Sequence, residues 1–264
     1  MTGAMEKYFI AADPYYQTTG EECMLFEAAY TQRLPVLLKG PTGCGKTRFI
    51  EYMAWRLKRP LVTVACNDDT TAADLTGRWL LDSSGTSWQD GPLTLAARSG
   101  AICYLDELVE ARGDTTVVIH PLTDTRRVLP LDKNNEIVQA HPDFMLVASY
   151  NPNAHKHLKS STRQRFCALE FHYPSPEIEA AIVAHESGVA FEMATRLVAL
   201  GKRTRRLREQ GLEEGASTRM LVYAGQLISK GVAPLLACRM AIATPLSDDP
   251  DVGAALLATV DASF

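Results

Sequence analysis

The apolar positions open with a short run at residues 34–39 (LPVLLK), broken by a glycine. Residues 46–57 then place Phe49, Ile50, Met53, Ala54 and Leu57 at helical spacing. This predicts strand, loop, helix. Residues 61–65 (LVTVA), 101–105 (AICYL), 144–149 (FMLVAS) and 166–171 (FCALEF) predict four further strands of the continuous, buried type. Such strands, alternating with helical segments, indicate an α/β fold with a five-stranded parallel sheet covered on both faces.

Two stretches interrupt that alternation. Between the third and fourth strands, RRVLPLDKNNEIVQAHPDF holds two short β-rich pieces joined by residues 132–135, whose composition suits a hairpin turn. Between the second and third, TGRWLLDSSGTSWQDGP breaks helical patterning with Gly, Ser and Trp. Both read as insertions. After Tyr173-Pro174-Ser175-Pro176 the β-rich runs stop, and the pattern predicts helices over 176–187, 190–208, 217–229, 233–242 and 250–260. The Pro-Ser-Pro stretch is therefore expected to divide an α/β domain, 1–175, from a helical domain, 176–264.

Composition narrows the class without naming it. A chain of 264 residues with 46% hydrophobic and 22% charged residues is globular, with a sizeable core, and neither fibrous nor disordered. Lys and Arg number 27 against 31 Asp and Glu, a net charge of -4 that offers no overall footprint for nucleic acid or an anionic membrane. The six cysteines include no CxxC pair, so zinc is not expected. Cys66, Cys103, Cys167 and Cys238 lie in or beside apolar runs and are expected to be buried free thiols. The N-terminus has no charged start followed by an apolar run, and no long apolar span follows, so a cytoplasmic protein without membrane insertion is expected.

The chemistry concentrates at the ends of predicted strands. Gly40, Pro41, Thr42, Gly43, Cys44, Gly45, Lys46 and Thr47 (GPTGCGKT) fit GxxxxGK[ST] between a strand and a helix. In that setting backbone N–H groups curl around phosphates, Lys46 reaches the β and γ phosphates, and the Thr47 hydroxyl faces Mg²⁺. Asp106 and Glu107 close the AICYL strand, Asp106 suited to ordering Mg²⁺ and Glu107 to polarising a water. Asn151 ends the fourth strand, either to hold that water or simply to start an Asn-Pro turn. Arg163 and Arg165 precede the fifth strand, where an arginine can reach a nucleotide on a neighbouring subunit or belong to a solvated helix end. Ser217 is placed to cap a helix whose next turn carries Arg219, a residue that can reach the γ phosphate or remain on the surface.

Other features have plainer readings. His155 and His157 suit a solvated loop better than a metal site, and Lys202, Arg203, Arg205, Arg206 and Arg208 a solvated helix face or a subunit contact. Asp248, Asp249 and Asp251 suit capping of the last helix. Trp79, Leu80, Leu81 and Trp88 in the first insertion are either local core or an exposed grip for a partner.

GPTGCGKT, CYLDE, SYNP, STRQRF and STRMLVYAG follow one another in the order of an AAA+ ATPase. Together with TVACNDDTTAADLTGRWLL and AHPDFMLVASYNP they resemble the MoxR branch, specifically its CbbQ/NirQ/NorQ group and most of all CbbQ. The resemblance spans essentially the whole chain. It implies a homo-hexamer with ATP and Mg²⁺ between subunits, a helix-2 insertion facing the ring pore, a hairpin before sensor 1, and a helical lid. Lys46 and Thr47 match Walker A, Asp106 and Glu107 Walker B, Asn151 sensor 1, Arg165 the arginine finger with Arg163 second, and Arg219 sensor 2. It further implies an adaptor with a von Willebrand factor A domain (CbbO-like) and activation of inhibited Rubisco by release of tight-binding sugar phosphates. Within the same group the alternative is a NorQ/NirQ-like role in nitric oxide reductase maturation by metal insertion. Two other classes stay open on the motifs: a P-loop phosphotransferase acting on a small molecule, and a nucleic-acid-dependent AAA+ protein, which the acidic balance disfavours.

Overall fold

The computed structural model describes residues 5–83, 85–154, 156–207, 212 and 214–264. They form two compact units, one of residues 5–40 with Lys46–Phe171 and one of Pro41–Gly45 with His172–Phe264.

The first unit carries the strands β1 (Val36–Lys39), β2 (Leu61–Ala65), β3 (Gly77–Asp82), β4 (Gly85–Asp90), β5 (Ile102–Asp106), β6 (Val128–Leu131), β7 (Glu136–Gln139), β8 (Met145–Tyr150) and β9 (Cys167–Glu170). Five of them make the expected sheet, in the order β2-β5-β8-β1-β9 with every pair parallel. All six residues of β8 are buried, as a central strand covered on both faces requires. On one face, Phe49 of the helix Lys46–Arg56 meets Phe26 edge-on at 5.4 Å, Phe171 at 5.1 Å and Tyr16 at 5.5 Å. The other face packs Leu105, Leu146 and Ala148 with Leu93, Ala96 and Ala97 of the helix Pro92–Ser99.

Register decides what this sheet presents. Lys39 lies opposite Tyr150 and Leu105 opposite Ala148, so β1, β5 and β8 end level with one another. Asp106 therefore falls beside Ser149. One expectation fails at the sheet's edge: Cys167 is exposed, because β9 has β1 as its one partner and leaves most of its side chains in solvent. Burial does hold for the other three thiols, and it pushes Cys66 and Cys238 each up to about 12.

Both insertions are antiparallel hairpins. β6 and β7 turn through Asp132–Asn134 and Asn135, which sits at φ 50°, a left-handed conformation that asparagine tolerates. β3 and β4, in a stretch whose Gly and Ser content hides the strand pattern, pair Trp79 with Trp88, their rings edge-to-face at 5.6 Å. The hairpins are tied together. The Trp79 indole donates to the Lys133 carbonyl at 2.9 Å, while Arg98 donates to Asp90 at 3.0 Å and to Glu136 at 2.7 Å. Trp79 is 49% and Leu81 83% exposed, with Leu80 also exposed, whereas Trp88 is half-buried against the core and donates to Asp90.

The second unit holds the helices Pro176–Ser187, Phe191–Arg206, Thr218–Ser229 and Pro250–Asp261 around Val183, Leu197, Leu200, Leu221 and Leu256. Pro234–Cys238 continues into a π-helical turn at Arg239–Ala243 ahead of Pro245, which has no N–H to donate. Ser217 and Asp249 cap their helices as the sequence predicts. The basic cluster is divided: Lys202, Arg203 and Arg206 are exposed, and Arg208 lies outside the described residues. Arg205 departs from the solvated-face expectation. Four residues after buried Gly201, it shares the inward face and forms a bidentate pair with Glu179 at 2.8 and 2.6 Å. Glu179, 1% exposed, also accepts from the Thr218 hydroxyl at 2.6 Å, and the Arg205 guanidinium lies 3.7 Å from the centre of the Tyr173 ring.

Candidate functional site: a phosphate-binding loop and two strand-end carboxylates

In parallel α/β sheets, ligands bind at the carboxyl ends of strands where the strand order reverses. Here that edge carries the loop after β1, the carboxylates after β5 and Asn151 after β8. Gly43 and Gly45 have φ of 67° and 104°, a conformation that L side chains adopt only with strain, and a Cβ on Gly45 would meet open space. Gly43 is also needed for closeness, since a Cβ there would come within 2.7 Å of the Ser217 side chain. Tyr173 donates to the Thr42 carbonyl at 3.1 Å, and Cys44 is buried.

Lys46 is buried at the start of its helix, donating to the Gly40 carbonyl at 2.8 Å with its amine 3.9 Å from Glu107. Glu107 follows β5 in a left-handed conformation, φ 52° and ψ 50°, which costs an L residue about 1–2 kcal/mol. Burial pushes its carboxyl up from the usual range; Lys46 and the Asn151 backbone N–H oppose this, and Asp106 and Glu110 add to it. A carboxylate so placed is suited to accept a proton from water.

Asp106 is fixed by groups the motifs did not single out. Its Oδ1 accepts from the Tyr104 phenol at 2.6 Å and from the Ser149 hydroxyl at 2.6 Å, and its Oδ2 lies 3.5 Å from the Thr47 hydroxyl. The Ser149 oxygen in turn accepts from the Glu107 N–H at 3.0 Å. Burial first, and then Asp106, pushes the Tyr104 phenol well above its ordinary value, so it remains a donor. The signal for both residues lay in strand geometry: Tyr104 precedes Asp106 by two and shares its face of β5, and the register sets Ser149 alongside.

The remaining predicted residues differ in setting. Asn151 is buried, and its side-chain oxygen accepts from Asn153 N–H at 3.0 Å, so it does start a turn while its own N–H faces Glu107. Arg163 is exposed, whereas Arg165 is half-buried, its Nε enclosed without a hydrogen-bond partner. Burial, with Arg165 adding to it, holds the neighbouring His120 imidazole below its usual range. Arg219 is exposed at the first turn of its helix. Of the paired histidines, His155 lies outside the described residues. Among the described residues, no group of three or more His, Cys, Asp or Glu gathers to hold a metal ion, and no helix is long and apolar enough to cross a membrane.

The arrangement fits a nucleoside triphosphate with Mg²⁺. The glycine loop leaves backbone open to phosphate oxygens, Lys46 supplies the charge, and the Thr47 hydroxyl and Asp106 Oδ2 are the hard oxygen donors that Mg²⁺ takes.

Comparison with known proteins agrees. Residues 35–166 match the AAA domain (dynein-related subfamily), and residues 179–263 match the CbbQ/NirQ/NorQ C-terminal domain. The chain is 63% identical to protein CbbQ of Hydrogenophilus thermoluteolus, covering 98% of each chain. It is 60% identical to the denitrification regulatory protein NirQ of Pseudomonas aeruginosa (95% of this chain, 97% of the relative) and 57% identical to protein NorQ of Paracoccus denitrificans (90% of each). In fold it is similar to a RuvB mutant from Thermotoga maritima, with a TM-score of 0.54 at 16% identity over 93% of this chain and 71% of the other. NtrX from Brucella abortus, solved with ADP, gives 0.53 at 16% identity over 84% and 53%. The chain belongs to the CbbQ/NirQ/NorQ family of MoxR-type AAA+ ATPases.

Proposed function

We propose that the protein is an ATP-hydrolysing remodelling motor that works as a homo-hexamer with a CbbO-like adaptor carrying a von Willebrand factor A domain, and that its client is inhibited Rubisco. Residues 1–175 bind nucleotide and 176–264 act as the lid. The observation that carries the ATPase reading is the convergence of Lys46, Thr47, Asp106 and Glu107 at one edge of the sheet.

The chemistry follows from those side chains. Lys46 exchanges the Gly40 carbonyl for the β and γ phosphates of ATP, while loop N–H groups hold the remaining oxygens. Thr47 and Asp106 would hold Mg²⁺, which when bound would offset negative charge on the phosphates. Glu107 accepts a proton from the water whose oxygen bonds to the γ phosphorus, as the bond from that phosphorus to the ADP oxygen breaks. Asn151 orients that water. Arg165 of a neighbouring copy stabilises the charge that develops, with Arg163 as second candidate, and Arg219 engages the γ phosphate. Trp79, Leu80 and Leu81 on the first hairpin, braced by Trp88, face the adaptor or client.

The Rubisco assignment is supported by the 63% identity to a CbbQ protein over nearly the full length. A second reading, maturation of nitric oxide reductase by metal insertion, is supported by identities of 60% and 57% to NirQ and NorQ. Purified protein, CbbO-like adaptor and ATP mixed with sugar-phosphate-inhibited Rubisco are expected to restore carboxylase activity. No recovery, together with nitric oxide reductase that gains its metal only when this chain is present, would replace the first client with the second.

A further inference from the structure

We infer that Tyr104 and Ser149 are positioning residues for Asp106, their two hydroxyls holding Oδ1 so that Oδ2 alone is turned to the Thr47 hydroxyl. A free carboxylate presents two equivalent oxygens and rotates about its Cβ–Cγ bond. Here both donors lie 2.6 Å from the same oxygen, the short range of hydrogen bonds to an ionised acceptor, and the other oxygen is the one that approaches Thr47. Each donor is 0% exposed, so bulk solvent does not compete for either hydroxyl. A fully buried strand position in an apolar core is ordinarily filled by an aliphatic residue or Phe. A phenol there, with its O–H spent on Asp106, is accounted for by that bond.

The two donors are not equivalent. Tyr104 donates to Asp106, and its phenol also interacts with the Ser149 and Thr47 hydroxyls, all on the Asp106 side of the site. The Ser149 hydroxyl donates to Asp106 while its oxygen accepts from the N–H of Glu107, a residue held in a left-handed conformation. It therefore ties the orientation of the metal-ordering carboxylate to the position of the water-activating one.

This inference rests on the reading of the site as a Mg²⁺-dependent ATPase, and the test separates the two. Wild type, Tyr104→Phe, Ser149→Ala and Ser149→Thr would be compared for the Mg²⁺ concentration giving half-maximal ATP turnover and for affinity for fluorescent ADP in EDTA and in Mg²⁺. Removing an outer partner of a metal-ordering group typically weakens metal affinity by about 10–100-fold. Tyr104→Phe is thus expected to raise the half-saturating Mg²⁺ about tenfold and lose the Mg²⁺-dependent gain in ADP affinity, with affinity in EDTA unchanged. Ser149→Ala is expected to do the same and also to lower kcat at saturating Mg²⁺, with Ser149→Thr restoring both. An unchanged Mg²⁺ requirement in Tyr104→Phe and Ser149→Ala overturns the inference, as does an equal loss of ADP affinity in EDTA, which marks general loosening of the site. If Tyr104→Phe lacks a cooperative thermal transition, the Ser149 pair decides alone. Absence of Mg²⁺-dependent turnover in the wild type refutes the ATPase reading instead.

Discussion

At the scale of single residues, the site separates holding a nucleotide from acting on it. Lys46 is a buried amine poised over the loop carbonyl of Gly40, and Lys46→Ala is expected to abolish ATP and ADP binding in equilibrium titrations. Glu107→Gln keeps the shape and removes the base. It should bind ATP as the wild type does while turnover falls by about 10²–10⁴-fold, measured as phosphate release. Retained turnover would show that another group takes the proton. Lys46, Asp106 and Glu107 were legible because their chemistry is written contiguously beside strand ends. Tyr104, Ser149 and Arg205 were not: Tyr104 and Ser149 read as ordinary strand residues and Arg205 as surface charge, because Tyr104 meets Asp106 by sharing its face of one strand, Ser149 meets it through register, and the partner of Arg205 lies on a helix 26 positions away. Cys167 misled for a related reason, since an apolar run does not tell an edge strand from a central one.

Elements were legible where their pattern is periodic. The parallel strands and the helices of the second unit follow from continuous apolar runs and 3.6-residue spacing, and the helix Pro176–Ser187 spans the residues the sequence predicts. The β3–β4 hairpin was illegible as strand because Trp79, Leu80 and Leu81 face solvent while Trp88 packs against the core, so no continuous buried face imposes a period. Two elements offer measurable energetics. Breaking the buried Glu179–Arg205 pair with Arg205→Ala leaves a carboxylate without its charge partner and is expected to cost about 3–5 kcal/mol. The check is a chemical denaturation midpoint, with loss concentrated in hydrogen exchange of the helices Pro176–Ser187 and Thr218–Ser229. Arg98→Ala acts on a more exposed pair of bridges and should cost about 1 kcal/mol or less. Its signature is faster exchange in β3–β4 and β6–β7 together, whereas exchange confined to one hairpin would deny the tie.

For the whole molecule, the proposed site is complete only when a second copy supplies Arg165. Its Nε is enclosed without a hydrogen-bond partner, and its charge is felt by the Asp124 carboxylate, which suits a side chain able to engage an outside anion. Arg165→Ala is accordingly expected to assemble normally and to lose turnover, and mixing it with Glu107→Gln subunits should recover part of the rate, because each lesion then has an intact neighbour. Wild-type turnover by Arg165→Ala would transfer the role to Arg163. The acidic net charge of -4 directs attention to protein partners over nucleic acid, and the hairpins are where such a partner would pull. The bonds from Trp79 to the Lys133 carbonyl and from Arg98 to both Asp90 and Glu136 bear on how that pull is studied. Excising residues 78–90 would strip the second hairpin of its Trp79 donor and leave Arg98 with half its acceptors, so a loop deletion is two lesions at once. Blame assigned to the missing loop would in part belong to the one left behind, and point changes at Leu81 are the cleaner instrument.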